Sequence, residues 1–290
     1  MRTPIVLAAL AAAVAAAATA GLARGSQQRA ALGGACAKSK LQLVSPGKLT
    51  VGTDNPAYPP WFGGKEGHGW KVSDPYSGKG YESAVAYAVA KELGFSKGQV
   101  QWTYVPFAKS FAPGKKSFDF DINQISYTPQ RAKVVDFSAS YYDVNQAVVV
   151  RDGTPIAKAR TIAQLKPYTL GAEIGTTSYQ FIVSRIKPSH TPKVYSSNAA
   201  AVQALKSRRI DGLVVDLPTA FYVSAAQVPN SKVLGQFASK TGEHFGLVLQ
   251  KGSRLTACVN QALAAMKRNG TLKRINTTWL SKVVSVPVLD

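Results

Sequence analysis

Apolar and polar positions follow two different periods along this chain from Leu49 onward. Short apolar runs of strand length end in turns, and many are followed by apolar stripes at helical spacing. The runs that predict strands are 49–53, 101–105, 118–122, 147–150, 168–172, 193–195, 212–215 and 244–249. The stripes that predict helices cover 82–93, 175–186, 199–206, 255–266 and 272–279, with a further helix starting at Pro218. Strands that alternate with helices are typical of α/β domains with parallel sheets.

The predicted strands are too many for one small sheet, which favours two α/β lobes. Polar residues stand where several of these strands end, namely Asp54, Ser126, Glu173 and Asp216. Ligands of open parallel sheets bind at the carboxyl ends of the strands. We therefore expect ligand contacts among these four residues.

The segment 126–131 reads Ser-Tyr-Thr-Pro-Gln-Arg. Thr128 predicts a helix N-cap and Pro129 the first helical residue, so Arg131 falls in the first turn. A cation there opposes the helix dipole, and a solvated surface arginine is the alternative. The guanidinium, the free N–H groups and the Ser126 hydroxyl can converge on an external carboxylate. We interpret this segment as an anion-binding site.

The first residues have the features of a secretory signal peptide. Arg2 precedes an apolar stretch over 5–18, and Ala18-Thr19-Ala20 fits a cleavage site, so 1–20 are expected to be removed. Residues 21–45 then form a leader to the domain. No later segment has the apolar length of a membrane span. We expect an exported, periplasmic protein.

Export gives the two cysteines a context. In an oxidising compartment Cys36 and Cys258 are expected to pair and to tie the leader to a late helix, with two unpaired thiols as the alternative. Cys36 lies far beyond the apolar stretch of the signal, so a lipid anchor is not expected. The net charge is +20, but Lys and Arg are dispersed and no nucleic-acid motif accompanies them. A solvated basic surface is therefore favoured over a nucleic-acid partner.

Several short motifs follow one another over 48–280. They are Leu49-Thr-Val-Gly-Thr-Asp54, Gly80-Tyr81-Glu82, Ser126-x-Thr128-x-x-Arg131, Val135-Asp136-Phe137-Ser138, Gly175-Thr176-Thr177-Ser178, Asp211-Gly212 with Asp216, Phe245-Gly246, and Asn269-Gly270-Thr271. Their order and spacing resemble the extracytoplasmic solute-binding proteins of polar amino-acid ABC transporters, family 3. The resemblance implies two Rossmann-like α/β lobes of the periplasmic-binding-protein type II fold, which close over one ligand. Lobe 1 would comprise 46–145 and 246–290, lobe 2 would comprise 146–245, and the hinge strands would lie near 144–149 and 243–247.

The resemblance also implies roles for single residues. Arg131 would hold the α-carboxylate of an amino acid, helped by the Ser126 hydroxyl and the Thr176 backbone N–H. Asp216 would accept from the α-ammonium, although the cap of the helix that starts at Pro218 is an alternative for it. Contacts to the ligand side chain are implied for Tyr58, Trp61, Phe107, Asp54 and Glu82. The alternatives are a turn at Asp54 before Asn55-Pro56, a place in the core for Phe107, and a helix cap for Thr176.

Two departures from the family pattern bear on the ligand. Gln124 stands where the family usually has a small residue whose backbone meets the ammonium group, so its side chain narrows the pocket or contacts the ligand. Glu173 precedes the Gly-Thr turn and adds negative charge, as Asp54 and Glu82 do. These acids favour a cationic or amide-bearing ligand side chain.

The sequence therefore predicts a monomeric binding protein that captures a free L-amino acid and delivers it to an ABC transporter permease in the inner membrane. We expect no cofactor, no metal and no catalytic residue, since His68, His190 and His244 are isolated and lack metal-ligand spacing. The alternative is a periplasmic dehydratase of the cyclohexadienyl type on the same fold. In that case Glu173 would act as a general acid.

Overall fold

The computed structural model of this chain describes residues 32–238, 242–280 and 286–290. The predicted signal peptide, 1–20, and the first part of the leader, 21–31, lie outside the described residues. The strands of the described part are β1 Leu49–Thr53, β2 Val100–Tyr104, β3 Phe120–Asp121, β4 Val135–Phe137, β5 Tyr142–Asp143, β6 Gln146–Arg151, β7 Leu170–Glu173, β8 Lys193–Tyr195, β9 Gly212–Asp216, β10 Ser231–Phe237, β11 His244–Phe245, β12 Val248–Gln250 and β13 Val288–Leu289.

The α-helices of the described part are α1 Tyr81–Glu92, α2 Phe107–Ser110, α3 Pro129–Ala132, α4 Thr177–Phe181, α5 Asn198–Lys206, α6 Leu217–Tyr222, α7 Leu255–Arg268 and α8 Thr271–Leu280. Helices α4 and α6 each continue into a π-helical segment, Ile182–Ile186 and Val223–Gln227. Helix α1 is followed by Gly94, whose αL conformation, with a φ of 85°, is typical of the residue that terminates a helix.

The strands form two main sheets. The first has the order β2-β1-β3-β12-β4, and the second has the order β13-β10-β6-β9-β7-β8. We call each sheet with its helices a lobe, so the predicted two-lobed α/β fold is confirmed. Both sheets mix parallel and antiparallel pairs, whereas the pattern predicted parallel ones. The antiparallel pairs join β12 to β3 and β4 in the first sheet, and β6 to β9 and β10 in the second.

Strands β5 and β11 form a separate antiparallel pair in which Tyr142 lies opposite Phe245. Here the chain passes from the first sheet into the second at β6, and returns from β10 to β12. The single strand predicted over 244–249 is wrong, because its two halves pair with different partners: β11 pairs with β5, and β12 pairs with β3 and β4.

Each lobe has its own apolar core. In the first lobe, α1, α7 and α8 pack against the sheet around Leu49, Val51 and Phe120. In the second lobe, Val148 and Val150 belong to one core while Ala147 and Val149 belong to another. Since side chains alternate along a strand, β6 is covered on both faces.

Two features tie the ends of the described chain to the lobes. Cys36 and Cys258 form a disulfide that joins the N-terminal segment to α7, so the predicted pairing is confirmed. Strand β13 pairs with β10 in the second sheet, where Leu289 is buried in the second-lobe core. The prediction placed all of 246–290 in lobe 1, and β13 departs from it because this apolar side chain is covered by the other sheet.

Candidate ligand-binding cleft

A cleft of about 390 Å³ lies where the two lobes face each other, within the usual range of small-molecule sites, about 300–1,000 Å³. Strand ends supply its three carboxylates, Asp54, Glu173 and Asp216, as expected for this class of fold. Nine of the eleven predicted ligand contacts line the cleft, and they are Asp54, Tyr58, Phe107, Gln124, Ser126, Arg131, Glu173, Thr176 and Asp216.

Arg131 lies in the short helix α3. The Thr128 hydroxyl accepts from the Arg131 backbone N–H at 3.1 Å, so the predicted N-cap is confirmed. The guanidinium donates to the Ser126 carbonyl oxygen at 2.6 Å and to the Gly175 carbonyl oxygen of the second lobe at 2.9 Å. Its carbon atom lies 4.1 Å from the ring centre of Phe111. These contacts fix the orientation of the guanidinium plane at the cleft wall.

Arg131 keeps its positive charge although it is buried. Burial lowers the pKa of Arg131 to about 10, while the nearby carboxylates of Glu243 and Asp216 oppose that change. A group with this pKa stays protonated at neutral pH. An arginine has five N–H donors, so after two bonds to carbonyl oxygens the guanidinium retains donors for a ligand carboxylate.

Asp216 stands at the N-cap position of α6, but its side chain makes no cap hydrogen bond. Its Oδ1 instead accepts from the Gln146 amide at 2.8 Å. Burial and the Glu243 charge raise the pKa of Asp216 well above its usual range, against the effect of the Gln146 bond. A positive group of a ligand would stabilise the ionised form, which makes this carboxylate a suitable ammonium acceptor.

The Ser126 hydroxyl lies between the lobes. It donates to Glu243 Oε1 at 2.7 Å and lies 3.2 Å from the Thr177 hydroxyl of the second lobe. Sequence reasoning missed both Glu243 and Gln146. A signal existed for Gln146, since this polar residue directly precedes the fully apolar run 147–150. Both residues lie in the predicted hinge segments, near 144–149 and 243–247, but no hydrogen-bonding role was predicted for either.

Asp54 and Glu173 face the cleft from opposite lobes. Burial and the charge of Asp54 raise the pKa of Glu173 to about 7, against a hydrogen bond from the Asn198 backbone. Burial also raises the pKa of Asp54, against hydrogen bonds from backbone N–H groups that include Asn55 at 2.7 Å. Because a nearby positive charge favours the ionised form of a carboxyl group, these two acids would be stabilised by a cationic group of a ligand.

Glu82 and Trp61 do not line the cleft, contrary to the prediction. Glu82 is fully buried, and it accepts hydrogen bonds from the Gln124 backbone N–H at 2.7 Å, from the Gln124 side-chain amide and from the Tyr141 hydroxyl. Gln124 lines the cleft and has a left-handed backbone, with a φ of 48°. Its side-chain amide contacts Glu82. Trp61 is buried and donates to the Thr219 hydroxyl at 2.9 Å.

The side chains of Thr176 and Tyr58 have structural partners as well. The Thr176 hydroxyl accepts from the Tyr179 backbone N–H at 3.1 Å and donates to the Glu173 carbonyl oxygen, so it caps α4. Tyr58 of the first lobe lies 6.3 Å from Tyr222 of the second, measured between ring centres. Both residues therefore contribute to the cleft wall and to the contact between its sides.

Within the part of the chain that the structure describes, no helix has the length and apolar character needed to cross a membrane. In the same residues, no group of three or more His, Cys, Asp or Glu side chains is arranged to hold a metal ion.

The chain is similar to known proteins over most of its length. It is 27% identical over 241 residues to the L-cystine-binding protein TcyJ of Escherichia coli (strain K12), covering 82% of this chain and 85% of the relative. It is 30% identical over 210 residues to ABC transporter arginine-binding protein 1 of the same organism, covering 69% and 81%. A solved ancestral arginine-binding protein bound to glutamine is 30% identical, with a TM-score of 0.68 over 82% of this chain and 100% of that one. The model of the bacterial extracellular solute-binding proteins, family 3, matches residues 49–282, and the chain belongs to this family.

Proposed function

We propose that this protein binds an L-amino acid with a positively charged side chain in the cleft, and delivers it to the permease of an ABC transporter. The distribution of charge in the cleft carries the proposal. Among the described residues that line the cleft, Arg131 is the only Lys or Arg, whereas three are carboxylates: Asp54, Glu173 and Asp216.

This arrangement matches a ligand with two positive groups and one negative group. Arg131 is suited to an α-carboxylate and Asp216 to an α-ammonium, which together account for an amino-acid backbone. Asp54 and Glu173 then remain for the side chain. A neutral side chain would leave two partly buried carboxylates without a cation, which is unfavourable once closure excludes water.

The family supports the transport role, since its members are extracellular solute-binding proteins. The relatives bear names for cystine and arginine, and the solved ancestral protein binds glutamine. These names support an amino-acid ligand, and the two acids of this cleft favour the cationic members of that set. We further propose export by the signal peptide at 1–20, a monomeric state, and lobes divided near 145 and 245 at the hinge.

A thermal-shift screen over the twenty amino acids, followed by calorimetry, tests the proposal. A ligand that binds the native state raises the melting temperature by mass action, and we expect arginine or lysine to raise it most. In Asp54→Asn/Glu173→Gln, affinity for these ligands should fall by about tenfold or more, the scale of one charged hydrogen bond. Asp152→Asn, at an exposed carboxylate, is the matched control. If no amino acid shifts the melting temperature, the binding function is refuted. If the double variant binds cationic ligands normally, the proposed ligand class is wrong.

One observation favours a second candidate, a dehydratase of the cyclohexadienyl type. Glu173 lines the cleft with a pKa of about 7, which suits a general acid at neutral pH. Incubation with prephenate or arogenate, followed by absorbance, separates enzyme from binding protein. Turnover by the wild type that disappears in Glu173→Gln would favour the enzyme.

A further inference from the structure

Gln146 is the first residue of β6, where the chain passes into the second lobe, and it is 3% exposed. Both the nitrogen and the oxygen of its side-chain amide form hydrogen bonds. The Nε2 atom donates to Asp216 Oδ1 at 2.8 Å and lies 3.2 and 3.3 Å from the two carboxylate oxygens of Glu243. The Oε1 atom accepts from the Ser178 hydroxyl at 2.6 Å.

The backbone explains why Gln146 meets Asp216. The two residues lie directly opposite each other in the antiparallel pair of β6 and β9, and opposed side chains on one face of such a pair are close neighbours. Because Asp216 is also the last residue of β9, its carboxyl group stands at the cleft and beside the amide at once.

Glu243 extends this contact to the first lobe. Its Oε1 accepts from the Ser126 hydroxyl at 2.7 Å as well as from Gln146. One amide thus connects Asp216, the residue suited to the ligand ammonium, with Glu243, whose carboxylate also accepts from Ser126 of the first lobe. This connection requires no direct contact of Gln146 with the ligand.

The chemistry of this position demands an amide. Two carboxylates lie on its donor side and a hydroxyl on its acceptor side, so the residue must offer N–H groups to the first and an oxygen to the second. An apolar residue would leave Asp216 and Glu243 without this donor. A glutamate would add a third carboxylate, because an ionised carboxyl group can only accept.

We propose that Gln146 is a positioning residue for ligand binding, which holds Asp216 in place for the ligand ammonium and, through Glu243, joins it to Ser126 of the first lobe. The inference rests on the proposed function, since it assumes an amino acid in the cleft. Besides Gln146, the charged or titratable groups that act on Asp216 are Glu243, Glu82 and Arg131, and Asp216 in turn acts on Tyr142.

The test compares two substitutions at one site. Gln146→Met keeps the size and removes both hydrogen-bonding functions, whereas Gln146→Glu keeps the shape and regains a donor only when protonated. Calorimetry is done at pH 8 and pH 5 with L-arginine, or with the tightest ligand of the twenty-amino-acid screen. The dissociation constant is expressed relative to that of the wild type at the same pH, which removes the pH dependence common to both proteins.

We expect Gln146→Met to bind about tenfold or more weakly at both pH values, the scale of a lost hydrogen bond to a charged group. Gln146→Glu should bind more weakly still at pH 8 and recover towards the wild type at pH 5. Gln236→Met is the matched control, since Gln236 is a partly buried glutamine of the neighbouring strand β10. Its side-chain amide accepts from Asn145 and donates to the Val286 carbonyl oxygen. This variant should leave affinity unchanged.

A purely structural role predicts a lower melting temperature without the pH-dependent recovery of Gln146→Glu. Binding by Gln146→Met within about twofold of the wild type, or a Gln146→Glu ratio that does not change with pH, overturns the inference while the proposed function stands. A wild type that binds none of the twenty amino acids overturns both.

Discussion

Replacement of Arg131 by methionine is the most direct test of how the cleft holds a ligand. Methionine has a similar length and can still pack on the Phe111 ring, which lies 4.1 Å from the guanidinium carbon. It cannot donate to the Ser126 and Gly175 carbonyl oxygens, which accept at 2.6 and 2.9 Å. The substitution therefore removes the charge and the bridge between lobes, and keeps most of the packing.

The expected loss is large because the guanidinium is buried. Arg131 is 8% exposed, so a ligand carboxylate that binds it is removed from water together with it. Severing one partner of such a buried pair costs about 2–5 kcal/mol, which weakens binding by roughly 30-fold to several thousand-fold. A surface arginine would cost about 1 kcal/mol or less, and this difference decides between the two interpretations of Arg131.

Calorimetry with the best amino-acid ligand measures the effect, at a temperature well below the melting point of each variant. Arg131→Lys should lie between the wild type and Arg131→Met, since lysine keeps the charge but loses the planar, forked donor geometry. Arg160→Met is the matched control, because Arg160 is exposed and also donates to a backbone carbonyl oxygen, that of Ala159 at 2.8 Å. Binding by Arg131→Met within about threefold of the wild type would refute the reasoning.

Further predictions concern pH and covalent structure. With a Glu173 pKa of about 7, a cation that needs the ionised form should bind about tenfold more tightly at pH 8 than at pH 6; in calorimetry, Glu173→Gln should lose this contribution to the pH dependence and keep only the part due to the other acids of the cleft. Removing the disulfide in Cys36→Ser/Cys258→Ser, which spans 222 residues, should lower the free energy of unfolding by about 2–5 kcal/mol in urea titrations, with ligand affinity unchanged. Asp121 is fully buried, and neither of its carboxylate oxygens has a hydrogen-bond partner among the described residues. Burial and the charges of Glu82 and Asp54 raise the pKa of Asp121 well above 3.8. Its contribution to stability is therefore intact below that unfolded value and is lost as pH rises through the folded pKa. The stability of Asp121→Asn relative to the wild type should grow from pH 4 to pH 8, and a difference independent of pH would contradict this.

Local pattern was sufficient for the regular elements with a clear period. The predicted strands at Leu49–Thr53 and Lys193–Tyr195 have the bounds that the structure gives, and α1 begins and ends one residue before its prediction. Strand β10 was not predicted, because a register shift between Val233 and Gly235 interrupts the alternation that identifies a strand. The alternation of apolar and polar residues identifies a strand only where the backbone is regular.

In the cleft, too, some features could be predicted from the sequence and others could not. Asp54, Glu173 and Asp216 could be placed at the cleft because they stand at the ends of strands, a position that the order of residues already determines. The orientation of Glu82 could not be predicted, since it depends on Gln124, 42 residues away.

By itself the sequence determined the succession of strands and helices, the two-lobed class of fold and the candidate charges at the strand ends. Only the tertiary structure decided which of these polar groups face a ligand and which satisfy each other. Gln146 and Asp216 are 70 residues apart and meet because two strands pair in one register. A hydrogen bond acts over about 3 Å and depends on direction, so such partners are fixed by packing and strand register, which local sequence does not contain.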